Sequence, residues 1–144
     1  MNSQFLNAPG PANGPSASVR VLVVDDNPAH RQFGRCLFES LGCHVWTAEN
    51  GAEAVRLARA LTFEIVVLDR HMPVCDGDAA AASIREAGAS RLSRLVSHSS
   101  NPPSGRAAQA YDVVVPKPAR VVDVVHLVTA ARRAARRGAR ALAA

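Results

Sequence analysis

Five polar residues that follow short apolar runs have the side-chain types needed to bind a cation and an anion together. Asp25 and Asp26 follow one run rich in valine, and Asp69 follows another, while Ser99 and Lys117 follow later runs. Three converging carboxylates repel one another and stay ionised together only if a cation lies between them. Mg²⁺ is usually held by one or two carboxylates, waters and a phosphate. The pattern therefore predicts a magnesium site, provided that the fold brings these residues together.

The elements that must position these residues alternate between short β-branched runs and longer helical stretches. Predicted strands cover residues 19–24, 44–47, 64–69, 94–98 and 113–115, and predicted helices cover 28–41, 51–61 and 78–87, with a last helix from about 120. Asn27-Pro28 favours the start of the first helix and Gly42 its end. Five strands alternating with helices predict an α/β domain with a parallel sheet covered on both faces. In such sheets the ligand site lies beyond the carboxyl ends of the strands, where the five polar residues fall.

The helical spacing of apolar residues predicts which side chains face the sheet. The inner faces are expected to carry Phe33, Leu37 and Leu41 in the first helix, Ala54, Leu57, Ala58 and Leu61 in the second, and Val121, Val124, Val125 and Val128 in the last. Buried faces of this kind would hold the helices against the sheet.

Length and composition indicate one domain. The chain has 144 residues, 48% hydrophobic and 20% charged, which is typical of one globular domain. Residues 1–18, rich in Asn, Ser, Pro, Gly and Ala, are predicted to be a flexible leader. Residues 19–130 form the predicted domain, and 131–144 an arginine-rich extension of the last helix.

The sequence also limits the location of the protein and the use of its cysteines. No apolar stretch approaches the roughly 20 residues that span a bilayer, so no transmembrane segment is expected. The N-terminus lacks the basic residues and apolar run of a signal peptide, so we expect a cytoplasmic protein. Cys36, Cys43 and Cys75 show no CxxC spacing, which favours reduced thiols over a disulfide framework or a zinc site.

Four motifs in order resemble the receiver domain of two-component response regulators. They are Val-Leu-Val-Val-Asp25-Asp26-Asn-Pro, then Val-Val-Leu-Asp69-Arg-His-Met72-Pro73-Val-Cys-Asp76-Gly77, then Ser99, then Lys117-Pro118. Each motif alone is weak, and Asp-Asp before Asn-Pro is more often a helix cap than a metal site. Because all four occur in order, each at the end of a predicted strand, together they are specific to this family. The resemblance implies a doubly wound five-stranded sheet of order 2-1-3-4-5, the flavodoxin-like or CheY-like fold.

The resemblance also implies a role for each acidic residue. Asp69 would be the nucleophile that takes a phosphoryl group from a phosphohistidine, supplied by a sensor histidine kinase or a histidine phosphotransfer protein. Asp25, Asp26 and Asp69 would hold Mg²⁺, together with the backbone carbonyl of His71. The chain would then be a signalling phosphoacceptor, not an enzyme that acts on a separate substrate.

The remaining motif residues would bind the phosphoryl group or shape the site. Ser99 and Lys117 would donate to the phosphoryl oxygens. Metal-dependent phosphatases and toprim-like nucleases also cluster carboxylates, but they need further acidic or base-like residues that are not found at the strand ends. By the same resemblance, the loop after the acceptor would be shaped by Met72, Pro73, Asp76 and Gly77.

Two features depart from the family pattern. Many receivers carry Tyr or Phe three residues before the lysine, whereas this chain has Val114, which cannot make the same large rotamer switch. The segment between Ser99 and Lys117 is also short and contains Asn-Pro-Pro-Ser-Gly at 101–105, which is expected to truncate the fourth helix. The usual output surface is therefore expected to be remodelled. A single-domain regulator of this kind would signal through protein contacts.

Basic residues concentrate at the C-terminal end. Residues 119–144 hold six arginines and one acid, which accounts for the net charge of +5. At roughly 100° per residue, five of them lie on one helix face: Arg132, Arg133, Arg136, Arg137 and Arg140. This face is either a solvated helix end or a phosphate-binding surface. As a phosphate-binding surface it resembles the arginine-rich extensions of some stand-alone receivers, so we expect cyclic di-GMP as its ligand, ahead of an anionic membrane or nucleic acid. Specific DNA binding is not expected, because recognition of single bases needs more than a basic stripe.

Overall fold

The structure is a computed structural model that describes residues 18–72 and 74–143. The predicted leader lies, apart from its last residue, outside the described part of the chain, and so does Pro73. Strands and helices alternate strictly along the described residues. The elements are β1 (Arg20–Val24), α1 (Pro28–Ser40), β2 (His44–Ala48), α2 (Gly51–Ala60), β3 (Ile65–Leu68), α3 (Gly77–Glu86), β4 (Arg94–Ser99), α4 (Gly105–Ala108), β5 (Val113–Pro116) and α5 (Val121–Ala143).

The five strands form one parallel sheet in the order β2-β1-β3-β4-β5, as predicted. Val24 at the end of β1 pairs with Leu68 at the end of β3, and Ser99 at the end of β4 pairs with Pro116 of β5. The residues that follow these pairs therefore leave the sheet at one edge. This register brings the chain after β1 beside the chain after β3.

Apolar cores cover both faces of the sheet. On one face α2 and α3 pack through small side chains, Ala54, Ala58, Ala80 and Ala81, with Ile84, against β1 and β3. On the other face α1 and α5 pack against Val21, Val23, Ile65, Val67 and Val96. Burial of a side chain of this size contributes roughly 1.5–3 kcal/mol. Residues 21–24 of β1 and all of β3 are apolar and buried, because neither face of these two strands meets water.

The inner face of α1 differs from the prediction. Phe33 was expected in the core but is 55% exposed, whereas Phe38 is 3% exposed. Gly34 explains the difference, because a Cβ at this position would lie 3.1 Å from Val23 Cγ1. The helix approaches β1 through this glycine, which turns the neighbouring Phe33 toward the side.

The predictions for α2 and α5 need smaller corrections. Leu61, just past α2, is 38% exposed, and in α5 Val121 and Val125 are 62% and 37% exposed. The face of α5 that does pack on the sheet carries Val124, Leu127, Val128 and Ala131. The buried face of α5 is therefore rotated from the face that the four valines predicted, because Leu127 and Ala131 are also buried.

The predicted truncation of the fourth helix is confirmed, since α4 has only four residues. Asn101 to Ser104 form no helix, and the Ser104 side chain makes no cap hydrogen bond. In contrast, α5 continues without a break through Gly138 to Ala143. Within the described residues, no helix combines the length and apolar character needed to cross a bilayer.

Candidate metal centre

The three acidic residues expected to hold a metal lie together beyond the ends of β1 and β3. Asp25, Asp26 and Asp69 each offer a ligand atom, and these atoms lie within 4.8 Å of one another. Asp25 and Asp69 are buried, with 3% and 7% exposure, while Asp26 is exposed to solvent. Two buried carboxylates and one at the surface form a pocket of negative charge that a cation can enter from solvent.

Helix capping does not account for the two aspartates after β1. The N-cap of α1 is Asn27, whose Oδ1 accepts hydrogen bonds from the backbone N–H groups of Ala29 at 2.9 Å and His30 at 3.2 Å. The Asn27 backbone N–H in turn donates to Asp25 Oδ1 at 2.9 Å. The capping turn therefore orients the Asp25 carboxylate toward the edge of the sheet instead of using it.

Lys117 supplies the positive charge next to these carboxylates. It follows β5, and its Nζ lies 2.9 Å from Asp25 Oδ2 and 3.3 Å from Asp69 Oδ2. Partial burial alone would lower the pKa of Lys117, but the hydrogen bond to Asp25 and the charges of Asp25 and Asp69 outweigh it and raise the pKa. The lysine is therefore a firmly charged bridge between the two buried acids.

Ser99 lies at the end of the neighbouring strand β4, where it is 2% exposed. Its Oγ accepts a hydrogen bond from the Asn101 backbone N–H at 3.2 Å, which leaves the hydroxyl proton available to donate. The backbone carbonyl of Ser99 accepts from the Lys117 N–H at 3.3 Å, so the two residues are held at one edge of the sheet. Ser100, which follows, is exposed.

The loop after Asp69 folds back tightly on the Asp69 backbone. A Cβ at Gly77 would lie 2.2 Å from the Asp69 carbonyl oxygen, so only glycine fits there. Asp76 caps α3 by accepting from the Ala79 N–H at 2.8 Å, and Met72 is buried in the core beside α2 and α3. Together these contacts hold the loop in a fixed path from Asp69 to α3.

Two histidines outside the four sequence motifs lie near the site. His30 Nδ1 lies 3.3 Å from Lys117 Nζ and 3.5 Å from Asp25 Oδ2. Because α1 starts soon after β1 ends, the first turn of α1, which holds His30, lies beside the strand ends. Burial, and then the charge of Lys117, lower the pKa of His98, which favours its neutral form. The His71 side chain is exposed, and its backbone N–H donates to Asp69 Oδ1 at 3.3 Å.

The arginine face is only partly as expected. Arg133, Arg136, Arg137 and Arg140 are exposed. Arg132 instead donates a hydrogen bond to the Leu41 backbone carbonyl at the end of α1. Its guanidinium stabilises the C-terminus of α1, so Arg132 does not belong to the exposed arginine face that the sequence predicted.

The donor set fits a magnesium ion. Mg²⁺ prefers oxygen ligands and keeps several waters, so it is bound by a few carboxylates at a surface open to solvent. Asp25 and Asp69 provide the buried carboxylates, and the exposed Asp26 leaves room for waters. No described cysteine belongs to the cluster, which argues for a hard ion over a thiophilic one.

Comparisons with known proteins agree with this arrangement. The sequence model of the response regulator receiver domain matches residues 21–129. The sensor protein GacS of Pseudomonas syringae pv. syringae is 40% identical over 70 residues, which cover 49% of this chain and 8% of GacS. The two-component response regulator ARR22 of Arabidopsis thaliana is 36% identical over 70 residues, which cover 47% of this chain and 49% of ARR22. These curated relatives are thus matched over half of their length or less.

Solved structures show the same fold. The receiver domain of the sensor histidine kinase PA1611 from Pseudomonas aeruginosa PAO1, with magnesium coordinated in its active-site cleft, superposes with a TM-score of 0.73 at 25% identity, covering 81% of this chain and 98% of that one. A CheY-like receiver domain from Methylobacillus flagellatus superposes with a TM-score of 0.74 at 20% identity, covering 80% and 99% of the two chains. With the sheet order, the acidic cluster and the family match in agreement, this chain belongs to the response-regulator receiver domains.

Proposed function

We propose that Asp69 accepts a phosphoryl group from a phosphohistidine in a Mg²⁺-dependent reaction and holds it as a signal. The observation that carries the proposal is the cluster of three carboxylates whose ligand atoms lie within 4.8 Å of one another, with Lys117 beside two of them. Three carboxylates at this spacing call for a cation, and a lysine next to a candidate nucleophile can bind a transferred anion.

The chemistry is a displacement at phosphorus. A carboxylate oxygen of Asp69 forms a bond to phosphorus as the bond from phosphorus to the donor imidazole nitrogen breaks. That nitrogen leaves with the bonding electron pair, as part of a neutral imidazole whose other ring nitrogen carries the proton. Mg²⁺, held by Asp25, Asp26, Asp69 and the His71 carbonyl, would neutralise charge on the phosphoryl oxygens. Lys117 would donate to one of these oxygens, and the Ser99 hydroxyl to another.

The donor and the output of this reaction follow from the same proposal. Curated relatives include sensor kinases, among them the hybrid signal transduction histidine kinase F of Dictyostelium discoideum. We propose that the donor is a sensor histidine kinase or a histidine phosphotransfer protein. We also propose that the output of this reaction is a contact with another protein.

Intact-mass spectrometry with a small phosphoryl donor tests the proposal. The wild type is incubated with acetyl phosphate, with and without Mg²⁺, beside Asp69→Asn and the control Asp123→Asn, whose carboxylate pairs with Arg120 at the start of α5. The proposal expects one added phosphoryl group on the wild type and the control when Mg²⁺ is present, and none on Asp69→Asn. Equal gain on Asp69→Asn, or no gain on the wild type, would overturn it.

A second candidate function is phosphate recognition by the exposed arginines of α5. Four exposed guanidinium groups lie in the second half of the helix, where they can bind phosphates bidentately and stack on bases. Cyclic di-GMP is the proposed ligand. Calorimetric titration with cyclic di-GMP compares the wild type with a variant in which Arg133, Arg136, Arg137 and Arg140 are replaced by Ala, while Arg132 is kept. Equal heats of binding for the two proteins would rule out this candidate function.

A further inference from the structure

Arg70, the residue after the proposed acceptor, joins two loops of the site. Its Nη1 donates to the backbone carbonyls of Asn101 at 2.7 Å and Pro102 at 3.0 Å, in the loop between β4 and α4. Its Nε and Nη2 donate to the Asp78 carboxylate at 3.0 and 2.8 Å, in the first turn of α3. One guanidinium therefore holds the loop after β4 against the loop after β3.

The same carboxylate continues the connection to the segment before β5. Asp78 Oδ1 accepts a hydrogen bond from the Tyr111 hydroxyl at 2.8 Å, and the Tyr111 ring is buried in the core beside α2 and α3. The hydrogen bond from Arg70 lowers the pKa of Asp78, so the carboxylate is ionised and accepts from both partners. A continuous chain of hydrogen bonds thus runs from the loop after β4 through Arg70 and Asp78 to Tyr111.

This chain begins two residues after Ser99. The Asn101 N–H donates to Ser99 Oγ at 3.2 Å, while the Asn101 carbonyl accepts from Arg70. If the Ser99 side chain rotates toward a phosphoryl group on Asp69, the Oγ that accepts from the Asn101 N–H moves with it. A shift of the Asn101 backbone that follows Ser99 would also change the hydrogen bond from Arg70 to the Asn101 carbonyl.

We propose that Arg70 is a positioning residue with two effects. It holds the loop after β4 in the position that this loop has in the unloaded protein, which carries no phosphoryl group or phosphoryl mimic on Asp69, and it transmits the change that follows loading of Asp69 to Tyr111. This inference rests on the proposed function of Asp69. The connection would take the role of the aromatic residue that many receivers carry at the position of Val114, whose apolar side chain is 45% exposed on β5 and cannot form a hydrogen bond. Because Arg70 favours the unloaded loop, it opposes binding of a phosphoryl mimic, and its removal favours binding.

The test follows the single tyrosine of the chain, so that one labelled ring reports one site. Tyrosine-labelled wild type, Arg70→Met, Arg70→Lys and Arg106→Met are titrated with beryllofluoride in the presence of Mg²⁺. Arg106→Met is the matched control, since Arg106 lies exposed in α4 and makes no described side-chain contact. Bound fluoride is followed by fluorine NMR, and the tyrosine ring by carbon-edited NMR.

We expect the Tyr111 ring signals of the wild type and Arg106→Met to shift on loading, and those of Arg70→Met to stay in place. Arg70→Met should bind beryllofluoride about tenfold more tightly, as expected for loss of a charge-assisted hydrogen bond from the unloaded state. Arg70→Lys keeps the charge but not the fork that reaches three partners, so its affinity should lie between the two. It serves as the second variant if Arg70→Met does not fold.

A measurement without metal or mimic separates this role from general stabilisation. Hydrogen exchange of the Asn101 amide in the unloaded protein should be faster in Arg70→Met than in the control, while the amides of β4 exchange alike. Loading of the wild type without any movement of Tyr111, or wild-type affinity in Arg70→Met, would overturn the role of Arg70 and leave the proposed function standing. Absence of bound beryllofluoride in the wild type would overturn both.

Discussion

Lys117 Nζ lies 2.9 Å from Asp25 Oδ2, although the two residues are 92 positions apart in the chain. Parallel strands bring them together, because β1 and β5 both end at the edge of the sheet where the acidic cluster lies. The lysine and a metal ion would compete for the same buried carboxylates. We therefore expect the charge of Lys117 to weaken metal binding at these carboxylates.

We predict that Lys117→Met binds Mg²⁺ more tightly than the wild type, by about tenfold, because a positive charge leaves the vicinity of the ion. Calorimetric titration with Mg²⁺ measures the change. Arg91→Met is the control, since this exposed arginine lies just before β4, at the other end of the strands. Unchanged or weaker Mg²⁺ binding in Lys117→Met would contradict a metal site at these carboxylates.

Gly77→Ala should destabilise the protein by about 2 kcal/mol or more, because the added Cβ would meet the Asp69 carbonyl oxygen. Gly138→Ala is the matched control. A Cβ at Gly138 meets nothing within 4 Å in the exposed part of α5, so alanine there should stabilise the protein by up to about 1 kcal/mol. Urea denaturation measures both changes. Equal effects of the two substitutions would show that the loop after Asp69 is not tightly packed.

The pair of Arg70 and Asp78 predicts a pH-dependent contribution to stability. The hydrogen bond from Arg70 lowers the pKa of Asp78 in the folded state. Its contribution is therefore fully present above the unfolded-state pKa of about 3.9 and is lost as the pH falls through the lower folded-state pKa. Asp78→Asn should cost roughly 1–3 kcal/mol at neutral pH, the range for a hydrogen bond between charged groups, and progressively less below about pH 4.

Denaturant unfolding of the wild type and Asp78→Asn across the acidic pH range measures this contribution. Asp123→Asn removes the carboxylate of the Arg120–Asp123 pair at the surface and should have a smaller effect. The free energy of unfolding of the wild type and that of Asp78→Asn should converge toward low pH. A difference that grows toward low pH would contradict a stabilising Asp78 carboxylate.

The cysteines should differ sharply in reactivity. Burial raises the pKa of Cys43 to about 11, and its residue is 6% exposed, whereas Cys36 is exposed on α1. Because the thiolate is the reactive form, iodoacetamide at mildly alkaline pH should label Cys36 first and Cys43 only after unfolding. Peptide mapping over time reads out each site. Labelling of Cys43 as fast as Cys36 in the folded protein would refute the packing of Cys43 described above.

Local pattern was enough to predict the sheet and the positions of the acidic residues. Valine-rich runs before Asp25 and Asp69 predicted buried strands, and the alternation with helices predicted a parallel sheet, while the strand order that the structure confirms came from the family resemblance. Asn-Pro-Pro at 101–103 correctly predicted the short α4, because proline restricts the backbone of the residue before it.

Features that depend on distant contacts were not predictable in this way. Phe33 fits an apolar stripe, but the close approach of Gly34 to Val23 turns it outward, and that approach depends on how α1 lies on the sheet. Arg70 meets carbonyls 31 and 32 residues further along the chain, and Arg132 meets one 91 residues earlier. Nothing in the local sequence indicates such partners, since they depend on the packing of separate loops.

Chemical trapping with borohydride identifies the residue that carries the phosphoryl group. Borohydride reduces an aspartyl phosphate to homoserine, which peptide mapping can locate. After treatment with acetyl phosphate and Mg²⁺, we expect homoserine at position 69, and none when Mg²⁺ is removed by a chelator. Homoserine at Asp25 or Asp26 instead, or at no position in a folded sample, would contradict the assignment of Asp69 as the phosphoacceptor.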